Sequence, residues 1–184
     1  MRVIAGLAKG RRLKTPVTGT RPMTDRIKES IFSALGDMSG FSVLDLYAGS
    51  GSLGLEAISR GARAVMFVEN SRDAIVKLEE NIAATGFESQ SDVLWGDVAH
   101  TIGTHAEDRV DVIFCDPPYS MSPDDVLSNL ENLVMGGWLS NEGRIVLHRP
   151  SKERRLNPFG LALIWEREYG QSSVYIFTHE DEDE

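Results

Sequence analysis

The chain has 184 residues and a formal net charge of −9, and 41% of its residues are hydrophobic. This length and hydrophobic share suffice for one domain with a sizeable core, which excludes a disordered or fibrous protein. The single cysteine, Cys115, excludes an internal disulfide framework and a multi-cysteine metal site. Because no apolar run approaches the roughly 18 residues that span a bilayer, and polar residues interrupt the basic N-terminus, we expect a cytoplasmic protein with no membrane partner.

The first 22 residues form the first predicted unit. Three glycines and two prolines interrupt it at short intervals, which is typical of a small hairpin or arm rather than of a helix. Residues 1–30 carry eight basic and two acidic side chains, whereas the last five residues, Glu180 to Glu184, are all acidic. The basic segment indicates either a local anion-binding surface or a solvated arm without a partner, and both alternatives stay open on charge alone.

A helix and then an alternating pattern follow the arm. Thr24 is a predicted N-cap, Asp25 suits the positive end of the helix dipole, and Gly36 predicts the end of this first helix. The predicted strands are Ser42–Tyr47, Ala64–Glu69, Asp92–Trp95, Val110–Cys115 and Arg144–His148. The predicted helices between them are Leu53–Arg60, Arg72–Thr85 and Pro123–Leu133.

This alternation predicts an α/β fold, with a parallel sheet covered by helices on both faces. The last two apolar segments, Ala162–Tyr169 and Ser172–Thr178, flank Gly170 and predict a hairpin that completes the sheet in antiparallel orientation. We therefore expect a Rossmann-like, mostly parallel sheet of about seven strands with a C-terminal antiparallel hairpin.

A glycine-rich loop follows the first predicted strand. Gly49, Gly51 and Gly54 satisfy G-x-G-x-x-G between a strand and a helix, where small residues let the backbone approach a ligand closely. Glu69 ends the next strand, 20 residues after Gly49, where its carboxylate can accept the hydroxyls of a ribose. This pattern alone fits a nicotinamide-dependent dehydrogenase equally well.

Acidic residues at the strand ends favour a different ligand. Asp45 lies on the strand that precedes the glycines, and Asp97 follows the third strand. Carboxylates at this edge would repel a pyrophosphate, but they suit the positive sulfonium and ammonium groups of S-adenosylmethionine.

The tetrapeptide Asp116-Pro117-Pro118-Tyr119 follows the strand that we expect opposite the glycine loop, at the point where strand order reverses. Two prolines make the turn stiff. The Asp116 carboxylate and a carbonyl of the turn can accept the two hydrogens of an exocyclic amine, while Tyr119 stacks on the base. Such a site positions a weakly nucleophilic base amine in line with a sulfonium methyl.

Two further segments narrow this chemistry to one family. Residues 21–32 read RPMTDRIKESIF and residues 45–57 read DLYAGSGSLGLEA. Together with the tetrapeptide, which is the motif of amino-methyltransferases of adenine or guanine, they resemble the bacterial 16S rRNA guanine-N2 methyltransferase family (RsmD-like) over nearly the whole chain. The sequence departs from the family at Met23, where Thr or Ser is usual, and at Lys28, where Arg is usual.

The resemblance implies a class I methyltransferase fold with S-adenosylmethionine as cofactor. The implied target is guanine N2 of 16S rRNA, in an assembling 30S ribosomal particle. The implied cofactor-binding residues are Asp45, Tyr47, Ala48, Gly49, Ser50, Gly51, Glu69, Asn70, Asp97 and Val98. The implied catalytic residues are Asp116, Pro117, Pro118 and Tyr119.

A target guanine must be turned out of its stack before the amine is reached, and phosphate contacts can supply much of that energy. The residues we expect to contact RNA are Lys9, Arg11, Arg12, Lys14, Arg21, Thr24 and Arg26. A second basic cluster, at Arg149, Lys152, Arg154 and Arg155, either extends this surface or forms a solvated loop. With the enzyme hypothesis, the chain divides into a basic arm (1–22), a methyltransferase domain (23–179) and a disordered acidic tail (180–184).

Other functions remain as alternatives. An adenine-N6 methyltransferase of DNA or RNA would use the same acceptors, and a non-catalytic RNA-binding factor in ribosome assembly could retain the fold. His100 and His105 have no partner cysteine or second histidine pair, so we expect no metal. Cys115 has no base in its sequence neighbourhood and is expected to be a small buried residue. We expect a monomer.

Overall fold

The computed structural model describes residues 1–17 and 23–181. Its helices are α1 (Asp25–Leu35), α2 (Ser52–Ser59), α3 (Arg72–Thr85), α4 (Val98–Ile102) and α5 (Pro123–Met135). Its strands are β1 (Ser42–Leu46), β2 (Ala64–Glu69), β3 (Ser91–Trp95), β4 (Val110–Cys115), β5 (Leu139–Pro150), β6 (Leu161–Tyr169) and β7 (Ser172–His179). In the described residues, no helix has both the length and the apolar character needed to cross a membrane.

The seven strands form one sheet in the order β3-β2-β1-β4-β5-β7-β6. The pairings from β3 through β5 are parallel, and β7 pairs antiparallel with both β5 and β6. This confirms the predicted Rossmann-like fold with its C-terminal hairpin. Strand order reverses between β1 and β4, so the glycine loop after β1 and the tetrapeptide after β4 meet at one sheet edge, where α/β folds bind ligands.

One strand and one helix differ from the sequence-based prediction. β5 begins at Leu139 rather than at residue 144, and a short helix, α4, lies between β3 and β4 where none was predicted. Asp97 caps α4, because its Oδ1 accepts a hydrogen bond from the His100 amide at 2.8 Å. Only five residues long, α4 is too short to give a clear helical periodicity.

Apolar side chains fill the space on both faces of the sheet. One cluster includes Phe32, Phe67 and Phe114, and the other includes Leu130 and Leu147. The Phe32 and Phe114 rings lie 5.6 Å apart and join α1 to the central strand β4. The two covered faces keep the central strands rigid, so their carboxyl ends can hold side chains in fixed positions.

The N-terminal arm packs against this domain instead of extending into solvent. A single antiparallel bridge joins Arg2 to Arg12, as a hairpin-like arm requires, and Val3 is fully buried. The Ile4 and Ala5 amides donate to the buried Glu56 carboxylate at 2.8 and 3.0 Å. The arm therefore has a fixed attachment to α2.

Lys28, one of the two departures from the family pattern, strengthens that attachment. Its side chain is fully buried, and Nζ donates to the Arg2 carbonyl at 2.6 Å and to Ser52 Oγ at 3.0 Å. Nζ also lies 3.4 Å from a carboxylate oxygen of Glu56. Burial lowers the pKa of Lys28, and the charge of Glu56 opposes that shift.

Candidate active site

A cavity of about 770 Å³ opens at the sheet edge where strand order reverses. The glycine loop lies on one side and the Asp116–Tyr119 turn on the other, with the N-terminal arm across part of the rim. Among the residues predicted from the sequence, the lining includes Asp45, Tyr47, Ala48, Gly49, Ser50, Glu69, Asn70, Asp97, Asp116, Pro117, Pro118 and Tyr119. The structure therefore brings all the predicted catalytic residues and most of the predicted cofactor-binding residues to one cavity, while Gly51 and Val98 are not in its lining.

Positive φ angles shape the glycine loop. Gly49 has a φ of +58° and Gly51, which precedes α2, has a φ of +81°. A Cβ on Gly49 would come no nearer than 4.0 Å to the Tyr47 carbonyl oxygen, whereas one on Gly51 would overlap Leu78 Cδ1. Gly51 is therefore required by the packing of α3 behind the loop, while Gly49 leaves space at the cavity wall.

Tyr47 also adopts a positive φ, of +57°, which is uncommon for a residue with a side chain. Its hydroxyl accepts a hydrogen bond from Asn129 Nδ2 on α5 at 2.8 Å, and burial raises the pKa of that hydroxyl. Asn129 is thus a support of the loop that the sequence did not indicate.

Glu69, the predicted ribose acceptor, is held by backbone amides. Oε2 accepts from the Gly49 amide at 2.8 Å, and Oε1 accepts from the Asn70 and Ser71 amides at 2.9 and 2.8 Å. These bonds fix the carboxylate at the end of β2 and tie it to the glycine loop. Each oxygen accepts at fixed geometry, which leaves a preorganised anionic acceptor at the cavity wall.

Asp45 is the most deeply buried acid of the cavity, at 2% exposure. Its Oδ2 accepts from the Gly54 amide at 2.9 Å. Burial raises its pKa well above the usual value, and the nearby Asp116 and Glu69 carboxylates raise it further, against the opposing effect of the Gly54 bond. A cationic ligand group at this point would relieve the repulsion among the three acids.

Asp97 is exposed and lines the cavity beyond β3, next to Ala99. Val98, between these two residues, is buried at 4% exposure in the apolar cluster, and its side chain is not part of the lining. After β3, the side chain of Asp97 therefore faces the cavity, while that of Val98 packs in the core.

Buried Arg149 stiffens the Asp116–Tyr119 turn. Its guanidinium donates to the Pro118 carbonyl at 3.1 Å and to the Met121 carbonyl at 2.8 Å, and it forms two bonds to the Glu153 carboxylate. At 1% exposure Arg149 belongs neither to a basic surface nor to a solvated loop, so both alternatives that the sequence left open are wrong for this residue. Its neighbours Arg154 and Arg155 are exposed and paired with Asp124 and Glu166.

His148 on β5 contacts both ends of the same turn. Its Nδ1 lies 2.8 Å from Asp116 Oδ1, and its Nε2 lies 3.5 Å from the Tyr119 hydroxyl. That hydroxyl is 2.8 Å from Ser172 Oγ on β7. His148 was not predicted as a site residue, although its place at the carboxyl end of a central strand was a usable signal.

Cys115 is buried beside the tetrapeptide, as expected. Burial raises the pKa of its thiol to about 12, with a further contribution from the Asp116 charge. The group is therefore a neutral thiol and not a nucleophile. Residues 1–17 and 23–181 also contain no group of three or more side chains that could hold a metal ion.

The residues predicted to contact RNA differ in exposure and in their partners. Lys9, Arg11 and Arg12 are exposed on the arm, while Lys14 pairs with Glu80 on α3 at 2.9 Å. Thr24 caps α1 by accepting from the Ile27 amide, and Arg26 lies over the Tyr169 ring on β6. Arg21 lies outside the described residues.

The arm also borders the cavity, which the sequence did not indicate. Met1, Thr15, Pro16 and Val17 are lining residues. Asn81 on α3 joins arm and loop, because its Nδ2 donates both to the Lys14 carbonyl and to the Ser50 carbonyl, at 2.8 and 2.9 Å. The arm and the glycine loop are therefore parts of one site.

Comparisons with known proteins agree with this architecture. The family model described as Conserved hypothetical protein 95 matches residues 1–178. The ribosomal RNA small subunit methyltransferase D of Haemophilus influenzae is 32% identical over 183 residues, covering 96% of this chain and 93% of the relative. The protein of the same name from Escherichia coli is 32% identical over 154 residues, which cover 79% of this chain and 72% of the relative.

The solved structure of the Escherichia coli protein yhhF superposes with a TM-score of 0.86 at 29% identity, and the match covers 98% of each chain. The family model, these relatives and the solved structure each match most of the chain. The chain therefore belongs to the RsmD-like family of methyltransferases.

Proposed function

We propose that this protein transfers the methyl group of S-adenosylmethionine to the exocyclic N2 amine of a guanine in 16S rRNA, within an assembling 30S particle. The observation that carries this proposal is the rigid Asp116–Tyr119 turn facing the glycine loop across one cavity. The relatives named ribosomal RNA small subunit methyltransferase D support RNA of the small subunit as the substrate.

The acids of the cavity fit S-adenosylmethionine. Asp45 is a buried carboxylate whose pKa is raised by burial and by neighbouring acids, so a sulfonium or ammonium group is a favourable counter-charge. Glu69 is oriented by three backbone amides and can accept ribose hydroxyls. Asp97 lies at the edge of the cavity, where we place the adenine.

The turn after β4 would hold the base. When bound, S-adenosylmethionine supplies an electrophilic methyl group on a sulfonium. Arg149 engages the Pro118 carbonyl, so we assign the Pro117 carbonyl and Asp116 as acceptors of the two amine hydrogens, with Tyr119 stacked on the base. As the amine nitrogen takes the methyl group and the sulfonium leaves as a neutral thioether, the Asp116 carboxylate would accept the proton that the amine loses.

The basic arm would contact the RNA backbone. Lys9, Arg11 and Arg12 are exposed on a segment whose far end borders the cavity, so phosphates gripped there lie next to the flipped base. In this proposal residues 1–22 form the RNA-binding arm, residues 23–179 form the methyltransferase domain and residues 180–184 form an acidic tail. The protein works as a monomer in the cytoplasm, without a metal.

One labelling experiment tests this function. The protein is incubated with methyl-tritiated S-adenosylmethionine and either naked 16S rRNA, 30S particles or DNA, and the modified base is then mapped. We expect label at guanine N2 of 16S rRNA, with particles labelled better than naked rRNA. Label confined to DNA overturns the RNA substrate, label at adenine N6 overturns the guanine assignment, and no label in any substrate favours a non-catalytic assembly factor.

A matched pair of variants tests the role of the turn. Asp116→Ala removes the proposed acceptor of the amine hydrogens, so methyl transfer is expected to be abolished while S-adenosylmethionine still binds. Asp124→Ala is the control, because this carboxylate is exposed on α5 and pairs with exposed Arg154. Near-normal turnover of Asp116→Ala would show that the proposed mechanism is wrong.

A further inference from the structure

Four side chains form a continuous contact path behind the proposed base site. Ser172 Oγ lies 2.8 Å from the Tyr119 hydroxyl, which lies 3.5 Å from His148 Nε2. His148 Nδ1 then lies 2.8 Å from Asp116 Oδ1. The path joins the two groups assigned to the base, the carboxylate and the aromatic ring, through one imidazole.

One assignment of protons gives all four groups compatible roles in these hydrogen bonds. A carboxylate oxygen accepts hydrogen bonds, so we assign the ring proton of His148 to Nδ1, which donates to Asp116. In the neutral imidazole, Nε2 is then an acceptor that faces the Tyr119 hydroxyl. The hydroxyl can donate toward Nε2 and accept from Ser172, so all four groups have compatible roles.

The imidazole is itself held firmly. His148 is 4% exposed and lies on β5, where it pairs with Val174 of β7 in an antiparallel ladder. The next residue, Arg149, holds the carbonyls of the turn. The Asp116–Tyr119 turn is therefore held by two consecutive residues of a central strand.

We propose that His148 is a positioning residue for methyl transfer, which sets the rotation of the Asp116 carboxylate and the place of the Tyr119 ring. This role rests on the proposed function. With Oδ1 occupied by the imidazole, Oδ2 is the oxygen directed to the amine of the flipped guanine, and the ring that stacks on that base is fixed by the same side chain. His148 thereby fixes the Tyr119 ring, on which the purine stacks, relative to the Asp116 oxygen that accepts from its amine.

Amide substitutions separate the two nitrogens of the ring. In His148→Asn the amide nitrogen falls near the former Nδ1 and can still donate to Asp116. In His148→Gln the amide group reaches the former Nε2 position and leaves Asp116 without this donor. Both variants are polar and close in size to the imidazole, so loss of buried polarity is similar in the two.

We expect His148→Gln to lower kcat for methylation of 16S rRNA by about 10- to 100-fold, the range for a misplaced reacting group. His148→Asn is expected to recover about tenfold of that loss. The dissociation constant of S-adenosylmethionine, measured by calorimetry, and the KM for rRNA are expected to stay within about twofold of the wild type, since a positioning role acts on the transition state.

A second histidine of the sheet provides a control. His179 lies at the end of β7, where its Nε2 contacts the Leu139 carbonyl, outside the cavity lining. His179→Gln is expected to alter thermal stability without changing kcat.

The outcomes separate the two proposals. A wild-type protein that methylates no rRNA overturns the proposed function and this role with it. If the wild type is active and the Asn and Gln variants of His148 have equal kcat values, the positioning role is overturned and the function stands. A rise in KM with kcat unchanged also overturns it, because His148 would then act only in binding.

Discussion

Replacing Asp45 by asparagine tests whether the cavity is built for a cation. The substitution removes one negative charge and keeps a side-chain oxygen that can accept from the Gly54 amide, so the local packing is preserved. Because Asp45 is 2% exposed and faces the charges of Asp116 and Glu69, its ionised form is unfavourable in the free protein. The Asn variant is therefore expected to be more stable than the wild type but to bind S-adenosylmethionine less well.

The expected loss of affinity follows from the bond that Asp45 would make. A hydrogen bond to a charged group contributes about 1.5–3 kcal/mol, which corresponds to roughly 10- to 150-fold weaker binding. The stability change has the opposite sign and depends on pH. The folded-state pKa of Asp45 lies above its unfolded value, so folding takes up a proton between the two values and the wild type loses stability as pH rises through that window.

Calorimetry with S-adenosylmethionine and thermal unfolding without it, both followed over pH, are the assays. The stability advantage of Asp45→Asn should be full above the folded-state pKa and should disappear as pH falls toward the unfolded value of about 4. Wild-type binding should release protons, because the ligand cation ionises Asp45. An Asn variant that binds within about threefold of the wild type, or whose advantage grows at low pH, would refute this reasoning.

Three further predictions concern the frame of the site. Gly51→Ala places a methyl group that overlaps Leu78 at a residue with positive φ, so it should lower the free energy of unfolding by about 2–5 kcal/mol. Gly86→Ala is the control, because Gly86 has a similar φ with no atom near its Cβ position, and the loss measured by urea unfolding should be only about 1–2 kcal/mol. Arg149→Leu removes the partner of the Glu153 carboxylate and the donor to two carbonyls, so the free energy of unfolding should fall by about 3–5 kcal/mol. A variant as stable as the wild type would contradict this prediction. Glu56→Gln weakens the attachment of the arm, so methyl transfer to rRNA should fall while S-adenosylmethionine binding, measured by calorimetry, stays near the wild-type value.

Local sequence signals were sufficient for most of the elements. α1 begins after its Thr24 cap and ends before Gly36, as predicted, because capping and glycine conformation depend on neighbours along the chain. The predicted β5 was too short, because residues 140–143 are polar or glycine and do not favour a strand by themselves. In the structure they belong to β5, whose first residue, Leu139, pairs with β4. Pairing partners override such weak propensity.

The sequence also predicted that the candidate cofactor and base-binding groups would meet at one edge of the sheet. G-x-G-x-x-G after a strand and the Asp-Pro-Pro-Tyr tetrapeptide are short motifs whose function depends on local backbone shape. Their approach to one another followed from the alternation of strands and helices, since that alternation predicts where strand order reverses. Arg149 could not be assigned in this way, because a charge in the sequence carries no information about its burial.

What the sequence by itself determined is the order of the elements, the parallel sheet and the residues at its carboxyl edge, because these depend on periodicity and short-range turns. Only the tertiary structure decided that His148 and Arg149 contact the Asp116–Tyr119 turn, that Asn81 joins the arm to the glycine loop, and that the basic arm is attached through buried Glu56. Those contacts join residues far apart in the chain, so they exist only when packing brings separate elements together. The net charge of −9 is therefore divided in space, with exposed cations on a docked arm beside a cavity of carboxylates.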